Sequence, residues 1–235
     1  EEELRTQYDE LMLQKKMLQE KDERHSLVVE AANIGIWERD MLTNTRFYSD
    51  KWYEILGLKK GEDDPSRWTE LIHPDDIHIA FSAYKNLIEY KASSYFCEFR
   101  IITKAGAIKW VQAVGKALWD INGTPLRVAG AHTDITHRKE IEERISQIAY
   151  YDSLTGLSNR AQLSDRFASL TKGGVKKLAL IFLDIENFKL INDSYGHTIG
   201  DALLIEVSRR LSENCLQCTA VSRLGGDEYA IMVWD

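Results

Sequence analysis

The chain has 235 residues, of which 44% are hydrophobic and 29% are charged. This balance is that of an ordinary globular protein, and it excludes a wholly disordered, collagen-like or low-complexity chain. The formal net charge of −7 argues against a nucleic-acid backbone as the main partner. No apolar run approaches the ~18 residues of a membrane span, and three cysteines fit a reducing cytoplasm better than a disulfide framework.

The length leaves room for two modest domains of about 100–200 residues each. Both ends of the sequence predict a piece of a longer protein. The chain starts at Glu1 without a methionine and stops at Asp235 inside an apolar run.

Residues 1–25 predict a helix, because they are rich in charge and in good helix formers and contain no Gly or Pro. Leu4, Leu11 and Leu18 recur every seven positions. Three heptads are the minimum for a coiled coil, so two interpretations stay open. The helix either pairs with another signalling helix or lies, largely solvated, on the next domain.

Residues 26–136 begin with a strand and short helices. The strand is predicted at 35–39, and helical patterns are predicted at 51–56, at 66–72 and from Pro74 onward. Apolar residues after Pro74 fall at three- and four-residue spacing, which predicts a single apolar helix face. The residues on that face are Ile77, Phe81, Tyr84 and Ile88.

The remainder of this region is rich in β-forming residues. Strands are predicted at 95–102, 107–119 and 125–135. Ala105-Gly106 and Asn122-Gly123 separate these runs, and both pairs are hairpin turn signals. We therefore expect an α+β domain over residues 26–136, with an antiparallel sheet and helices packed on one of its faces.

Residues 137–151 predict a linker helix with Ile141, Ile145 and Ile148 on one face. The segment contains no Gly or Pro hinge, which suits a connector that transmits rotation between domains. A plain spacer helix remains the alternative.

Residues 152–235 predict an α/β unit. Asn159 followed by Gln162 is a helix start that resembles a capping box. Residues 178–183 predict a buried strand that ends on Asp184, and the apolar residues at 203–211 predict a helix. Two further strands are predicted at 220–224 and 229–233.

The turn between the last two strands carries most of the candidate chemistry. Gly225 and Gly226 permit positive φ and close approach of a ligand to the backbone. Asp227 and Glu228 repel each other, and a site that keeps both carboxylates usually shares a cation or a proton between them. With Asp184 they predict a Mg²⁺ or Mn²⁺ site that binds phosphates. An acidic turn and a strand-end cap without a ligand are the alternative.

Four motifs follow one another in this unit, at 152–160, 184–189, 191–197 and 223–229, the last reading Arg-Leu-Gly-Gly-Asp-Glu-Tyr. Together they closely resemble the GGDEF family of diguanylate cyclases. The resemblance implies that two GTP molecules, one on each domain of a homodimer, are joined into cyclic di-GMP with release of pyrophosphate. It covers an N-terminal portion of the family domain, so we expect weak or no catalysis from this chain although its parent would be a cyclase.

The resemblance also implies roles for individual residues. The implied metal ligands are Asp184, the backbone carbonyl of Ile185, Asp227 and Glu228. The implied substrate-binding residues are Phe188, Lys189, Gly225 and Gly226 along the nucleotide and its phosphates, and Asn192 and Asp201 at the guanine edge. The implied catalytic residues are Asp227 and Glu228, where Glu228 either assists deprotonation of the attacking hydroxyl or acts only as a metal ligand. Asp152 and Arg160 are expected to organise the junction between linker and domain.

The sequence departs from the family pattern at three places. Glu186 stands where the family often has aspartate, which is a conservative change. Tyr229 replaces the usual phenylalanine, and we expect little loss because the aromatic surface is kept. Residues 216–219 lack both charges of the family's product-inhibition motif, so we expect no feedback inhibition by cyclic di-GMP there. Cys215 and Cys218 form one Cys-x-x-Cys, but without a second pair they do not indicate a zinc site.

Residues 26–136 resemble a PAS sensor domain through the motifs at 34–37, 72–76, 99–100, 109–111 and 134–136. PAS domains often hold a small ligand between sheet and helices and often dimerise through flanking helices. Five of the six tryptophans fall in this domain, and we interpret them as core and dimer-surface packing rather than as a pocket lining. No motif indicates a flavin or a haem, so the PAS ligand stays unassigned.

The predicted fold class is thus α+β, with a PAS antiparallel sheet joined by a helical linker to a partial α/β GGDEF domain. The leading interpretation is a cytoplasmic, PAS-regulated diguanylate cyclase that uses Mg²⁺ or Mn²⁺, binds GTP and forms a homodimer. The alternative is a non-catalytic sensory or dimerisation module whose GGDEF domain is incomplete or only binds GTP. A phosphodiesterase domain following Asp235 is a third possibility.

Overall fold

The computed structural model describes residues 2–215 and 219–235, without the side chains of residues 2–6, 9 and 25. The predictions for the Leu4 side chain and for residues 216–218 therefore lie outside the described residues, and so does the Cys-x-x-Cys pairing. The chain divides into two compact units, Glu1–Lys139 and Glu140–Asp235.

The N-terminal helix α1 spans Glu2–Ala31 and so extends beyond the predicted end at residue 25. Its apolar side chains face solvent, with Leu11 62% and Leu18 61% exposed. This exposure does not support the interpretation of a helix lying on the next domain, and helix pairing stays a prediction. No helix within residues 2–215 or 219–235 combines the length and the apolar character needed to cross a bilayer.

A five-stranded antiparallel sheet forms the base of the first unit. Its strands are β1 (Gly35–Asp40), β2 (Arg46–Tyr48), β3 (Tyr95–Ile102), β4 (Ile108–Trp119) and β5 (Pro125–Asp134). Their order in the sheet is β2-β1-β5-β4-β3, so the first strand pairs with the last. Gly106 and Gly123 have φ values of 82° and 79°, as the hairpin prediction requires. The short β2 was not predicted, because three residues are too few for a periodic pattern.

Short helices cover one face of this sheet, as predicted. They are α2 (Asp50–Leu56), 3-10 helices at Pro65–Leu71 and Pro74–Asp76, and α3 (Ile77–Glu89). The helical segment predicted at 66–72 forms a 3-10 helix at Pro65–Leu71, which begins after the N-cap Asp64 and ends before the extended Ile72.

The apolar face of α3 also differs from the prediction. Ala80 and Leu87 are buried, whereas Ile77 is 43% and Phe81 53% exposed. The small Ala80 did not stand out in the apolar pattern, although its size lets the helix approach the sheet closely.

The motif residues Asp76 and Arg100 join the start of α3 to β3. The Asp76 carboxylate accepts hydrogen bonds from the Arg100 backbone N–H and Nε, both at 2.8 Å, and from its Nη2 at 2.7 Å. These bonds from Arg100 lower the pKa of Asp76 to about 2. The carboxylate is 5% exposed, so the pair is a structural clamp at the edge of the core.

The linker helix α4 spans Thr136–Tyr150, close to the predicted 137–151. Ile145 is 61% and Ile148 79% exposed, so the predicted apolar stripe is not covered. The end of the helix is held by Asn159, whose backbone N–H donates to the Tyr150 carbonyl and whose Nδ2 donates to the Ala149 carbonyl, both at 2.9 Å.

Asn159 is also the N-cap of α5 (Arg160–Lys172), as predicted. Its Oδ1 accepts from the N–H groups of Ala161 and Gln162 at 2.9 and 3.1 Å. The Gln162 side chain donates to the Tyr151 hydroxyl instead of returning to Asn159. Only half of a capping box therefore forms.

The second unit contains a three-stranded antiparallel sheet in the order β6-β8-β7. The strands are β6 (Leu178–Asp184), β7 (Thr219–Gly225) and β8 (Glu228–Trp234), and the helices α6 (Phe188–Tyr195) and α7 (His197–Asn214) lie between β6 and β7 in the chain. The prediction that β6 is buried was wrong, since Phe182 is 67% and Ile181 48% exposed. β6 pairs along one edge only, while α5 and α7 pack on β7.

Candidate active site

The β7–β8 turn holds the predicted Gly-Gly-Asp-Glu sequence in a tight hairpin. Gly225 and Gly226 have φ values of 140° and 56°, which side-chain-bearing residues rarely adopt. Both glycines are exposed, and a Cβ added at either would meet no atom within 4 Å. The backbone of the turn is therefore open to a ligand, as the sequence predicted.

Arg223 supports this turn from beneath. Its Nε and Nη2 donate to the Gly226 carbonyl at 2.9 and 2.6 Å, and its Nη1 donates to Asp152 Oδ1 at 2.8 Å. The residue is only 8% exposed. Sequence reasoning did not assign Arg223 a role, because its partner lies 71 residues earlier.

Asp152 lies directly after the linker helix and fixes the segment that leads to Asn159. Its Oδ1 accepts from the N–H and the hydroxyl of Thr155 at 2.9 and 2.6 Å. Burial raises the pKa of Asp152, but the hydrogen bonds from Thr155 and Arg223 outweigh it, so the pKa is lowered. Asp152 thus organises the entry to this unit, and through Arg223 it reaches the acidic turn.

Register across the sheet brings two of the predicted carboxylates together. Asp184, the last residue of β6, pairs with Glu228, the first residue of β8. Residues directly opposite in an antiparallel pair place their side chains on the same face, about 4.5–5.5 Å apart at Cβ. This adjacency comes from antiparallel register, because β6 and β8 pair antiparallel.

The donors of this cluster fit a divalent cation in their chemistry. Asp184 and Glu228 are exposed carboxylates and Asp227 is half-buried, and hard cations prefer such oxygens. Glu228 Oε2 lies 3.7 Å from Arg160 Nη2. Within the described ranges 2–215 and 219–235, no three acidic, His or Cys side chains are gathered tightly enough to hold a metal ion. The carboxylates of Asp184, Asp227 and Glu228 are therefore neighbours, but they do not converge on a single metal position.

The Ile185 carbonyl, the fourth predicted metal ligand, begins the loop to α6. It accepts a hydrogen bond from the Phe188 N–H at 3.2 Å, and a carbonyl oxygen has a second lone pair. Asn187 at the start of α6 has φ 59° and makes no side-chain cap, which explains why the pattern did not predict this helix.

The predicted guanine-binding residues lie where α6 packs on α7. The Asn192 Oδ1 is buried and has no hydrogen-bond partner. It faces Gly200 of α7, where an added Cβ would lie 3.0 Å from Asn192 Cγ and 3.3 Å from Phe188 Cζ. Asp201, the next residue along α7, and Lys189 of α6 are exposed.

Tyr229, the departure from the family pattern, is buried between β8 and α7. Its hydroxyl donates to the Leu204 carbonyl at 3.1 Å and accepts from the Ser208 hydroxyl at 3.3 Å. The ring keeps the aromatic packing that was predicted, and the hydroxyl adds bonds that tie the strand after the acidic turn to α7. Ser208 lies four residues after Leu204 and is buried. A serine at this position in the apolar pattern of the helix was the sequence signal that could have predicted a hydrogen bond to Tyr229.

Two family models match the chain. Residues 45–132 match the PAS fold, and residues 149–235 match the GGDEF domain of diguanylate cyclases. These ranges lie inside the two structural units described above.

Three curated proteins are similar to parts of this chain. A diguanylate cyclase of Vibrio cholerae is 31% identical over 168 residues, covering 70% of this chain and 52% of that protein. The diguanylate cyclase DgcN of Escherichia coli is 43% identical over 94 residues, covering 39% of this chain and 23% of that protein. An uncharacterized protein of Sinorhizobium fredii is 30% identical over 224 residues, covering 92% of this chain and 27% of that protein. The chain thus spans between about a quarter and a half of the length of these relatives. The chain therefore consists of a region that matches the PAS fold followed by a region that matches the GGDEF domain.

Proposed function

We propose that this GGDEF domain, in the parent protein, forms cyclic di-GMP from two GTP molecules under the control of the PAS domain, with weak or no catalysis by the 235-residue chain alone. The observation that carries the proposal is the acidic turn, because Arg223 holds it open toward solvent and the sheet register sets Asp184 beside Glu228. An exposed turn with positive φ at two glycines and three neighbouring carboxylates suits a nucleotide triphosphate.

In this proposal each chain holds one GTP. Gly225 and Gly226 lie against the nucleotide, Phe188 and Lys189 lie along its phosphates, and Asn192 and Asp201 bind the guanine edge. Bound Mg²⁺ or Mn²⁺, held by Asp184, Ile185, Asp227 and Glu228, would neutralise phosphate charge and acidify the attacking hydroxyl. The Glu228 carboxylate takes the proton of a ribose 3′-hydroxyl. The 3′-oxygen bonds to the α-phosphorus of the other GTP, and the bond to pyrophosphate breaks; the second linkage forms in the same way.

Two half-sites must meet for this reaction, so we propose a homodimer formed through the PAS domain and its flanking helices. The exposed Leu11 and Leu18 on α1 and the exposed Ile145 and Ile148 on α4 support it, since each pair lies at a helical spacing. The proposed location is the cytoplasm, which the proposed substrate and the free, buried thiol of Cys97 support.

The test is formation of cyclic di-GMP from GTP and Mg²⁺ by the parent protein, measured by chromatography, because weak or no catalysis is expected from the 235-residue chain alone. Asp227→Ala and Glu228→Gln are expected to abolish the product. Asp165→Asn is the matched control, because Asp165 is an exposed acid on α5 outside the acidic turn. Product formation that is the same in Asp227→Ala and in the unchanged chain would contradict the proposal.

A second candidate function is a sensory module that binds GTP without turnover. It is favoured by one observation, the placement of Glu228 3.7 Å from Arg160 rather than gathered with Asp184 and Asp227. GTP binding with no cyclic di-GMP, unchanged by Arg160→Ala, would identify this function.

A further inference from the structure

A cluster of charged side chains lies on the PAS sheet at the point where β5 ends and α4 begins. Its centre is Glu98 of β3, whose Oε1 accepts a hydrogen bond from Arg138 Nη2 at 2.6 Å and whose Oε2 lies 2.8 Å from Lys139 Nζ. Gln112 of β4 also donates to Oε1, at 3.3 Å. These hydrogen bonds, above all that from Lys139, lower the pKa of Glu98 to about 2. Glu98 therefore holds two consecutive residues of the first turn of α4 against β3.

A second carboxylate holds the next cation of the same strand. Arg100 lies on the same face of β3 as Glu98, because buried and partly exposed side chains alternate along this strand. The clamp with Asp76 at the start of α3 occupies the Nε, the Nη2 and the backbone N–H of Arg100. Asp75 reaches Arg100 Nη2 only at 3.4 Å and is largely exposed, so Asp76 is the stronger partner. Two carboxylates on different elements thus divide the cations of this cluster between them.

Trp110 of β4 lies beside both groups of charges. It is the cross-strand partner of Arg100, and its ring centroid lies 5.7 Å from Arg100 Cζ and 5.2 Å from Lys139 Nζ. A cation within about 6 Å of an indole ring is attracted by the ring. The Trp110 backbone also holds the exit of the domain, since its N–H donates to Thr136 Oγ1 at 3.0 Å and its carbonyl accepts from the Ile135 N–H at 2.9 Å. The two cations therefore share one aromatic neighbour where α4 is bonded to the sheet.

The same side chains can pair in a second way. Residues two positions apart on a strand are separated by about 7 Å, and an arginine side chain is long enough to cross that distance. Arg100 therefore reaches Glu98 once Asp76 no longer holds it. Because a guanidinium can donate two parallel hydrogen bonds to a carboxylate and an ammonium cannot, Arg100 would displace Lys139 from Oε2. Coupling between two elements needs a contact with two discrete arrangements, and this exchange supplies one.

We propose that Glu98 is an exchange point that couples the start of α3 to the first turn of α4. In one state Asp76 holds Arg100, and Glu98 holds the first turn of α4. In the other state Asp76 has moved with α3, and Arg100 pairs with Glu98. The first turn then loses the bond between Lys139 and β3. Glu98 is a positioning residue, and its effect on the cyclase rests on the proposed function, but the exchange itself is measurable without any turnover of GTP.

The test is hydrogen–deuterium exchange of the full chain, measured by mass spectrometry on peptides that cover residues 133–139. Asp76→Asn keeps the shape of the side chain, removes its charge and touches no residue of α4. We expect these peptides to exchange about tenfold faster, as the loss of one charge-assisted hydrogen bond provides. Asp76→Asn combined with Arg100→Gln should restore the original rate, because no cation is then released toward Glu98. A merely structural role of the clamp would instead make the double variant at least as fast as Asp76→Asn.

Glu54→Gln is the matched control, because Glu54 is an exposed acid whose partner Lys51 lies on the same helix. Unchanged exchange at 133–139 in Asp76→Asn, or no restoration in the double variant, would overturn the proposal. Peptides over residues 126–131 of β5 report opening of the whole domain. If Asp76→Asn opens the whole domain, Glu98→Gln decides: it should accelerate exchange at 133–139 alone by about tenfold, and an unchanged rate there means that the proposal fails.

Discussion

Gly200→Ala is expected to disturb nucleotide binding although residue 200 has no side chain of its own. A methyl group at this position would lie 3.0 Å from Asn192 Cγ, 3.3 Å from Phe188 Cζ and still closer to Asn192 Oδ1. Gly200 is buried inside α7, so the helix backbone has little room to retreat. The Asn192 amide must therefore turn away from the position that we propose for contact with guanine.

The expected magnitude comes from two opposing effects. Alanine is favoured over glycine in a helix by about 1 kcal/mol, whereas overpacking costs typically 1–3 kcal/mol. The free energy of unfolding should therefore change by about 2 kcal/mol or less. Loss of one base hydrogen bond costs about 1–3 kcal/mol, which weakens GTP binding about five- to hundredfold. The expected loss of binding free energy is thus about 1 kcal/mol larger than the expected loss of free energy of unfolding.

The assay is a double-mutant cycle with Asn192→Ala, measured by calorimetric titration of GTP and by thermal unfolding of the full chain. In the Asn192→Ala background the obstructing amide is gone, so Gly200→Ala should stabilise the fold by about 1 kcal/mol and leave GTP affinity unchanged. Additive effects of the two substitutions would refute the reasoning. The stability arm is informative even if the chain does not bind GTP.

Three further predictions concern other contacts of the structure. Arg223→Met keeps the bulk of the side chain but removes its hydrogen bonds to Gly226 and Asp152. We expect at least a roughly tenfold loss of cyclase product and faster proteolysis near residues 152–158. Unchanged product formation and unchanged proteolysis would show that the turn does not depend on Arg223. Tyr229→Phe restores the usual family residue but removes the hydrogen bonds with Leu204 and Ser208. Chemical denaturation should therefore show that the free energy of unfolding falls by about 1 kcal/mol. Equal or higher stability of the variant would contradict the importance of these hydrogen bonds. The pKa of Asp76 is lowered in the folded state by Arg100, so its carboxylate contributes stability that is present above the unfolded pKa of ~3.9 and is lost as the pH falls toward 2. Tryptophan fluorescence, which reports mainly on the PAS domain, should therefore show a steeper decline in melting temperature between pH 4 and pH 2 for the unchanged chain than for Arg100→Gln, and parallel declines would argue against the clamp.

Local patterns predicted the elements that depend on local chemistry. The hairpin turns at Gly106 and Gly123, the cap at Asn159 and the turn at Gly225-Gly226 all appeared where residue type alone demands a particular backbone. The motifs of the GGDEF domain also singled out Asp184 and Glu228, which the sheet register sets opposite each other. These features need no knowledge of partners far away in the chain.

The features that could not be predicted depend on tertiary contacts. Burial of β6 was misjudged, because an apolar run does not reveal whether other elements cover it. The roles of Arg223 and Gly200 depend on residues that approach only in the folded chain. The tryptophans were interpreted as packing residues, yet Trp37, Trp52 and Trp68 also line a cavity of about 230 Å³ in the PAS domain, because aromatic residues that fill a core and those that border a void have the same sequence pattern.

Asn159 has a consequence for how the linker can act. One side chain closes the last turn of α4 and opens the first turn of α5, so the two helices share a single joint. Residues 149–159 should then move as one rigid segment when α4 rotates about its axis, because no flexible residue between the two helices would absorb the rotation. A one-residue insertion within 141–148 would turn the isoleucine stripe by about 100° relative to that joint, whereas a seven-residue insertion would nearly restore it. The linker therefore acts as a rigid connector and not as a flexible tether. The rotational phase of its helix becomes a property on which signalling can depend.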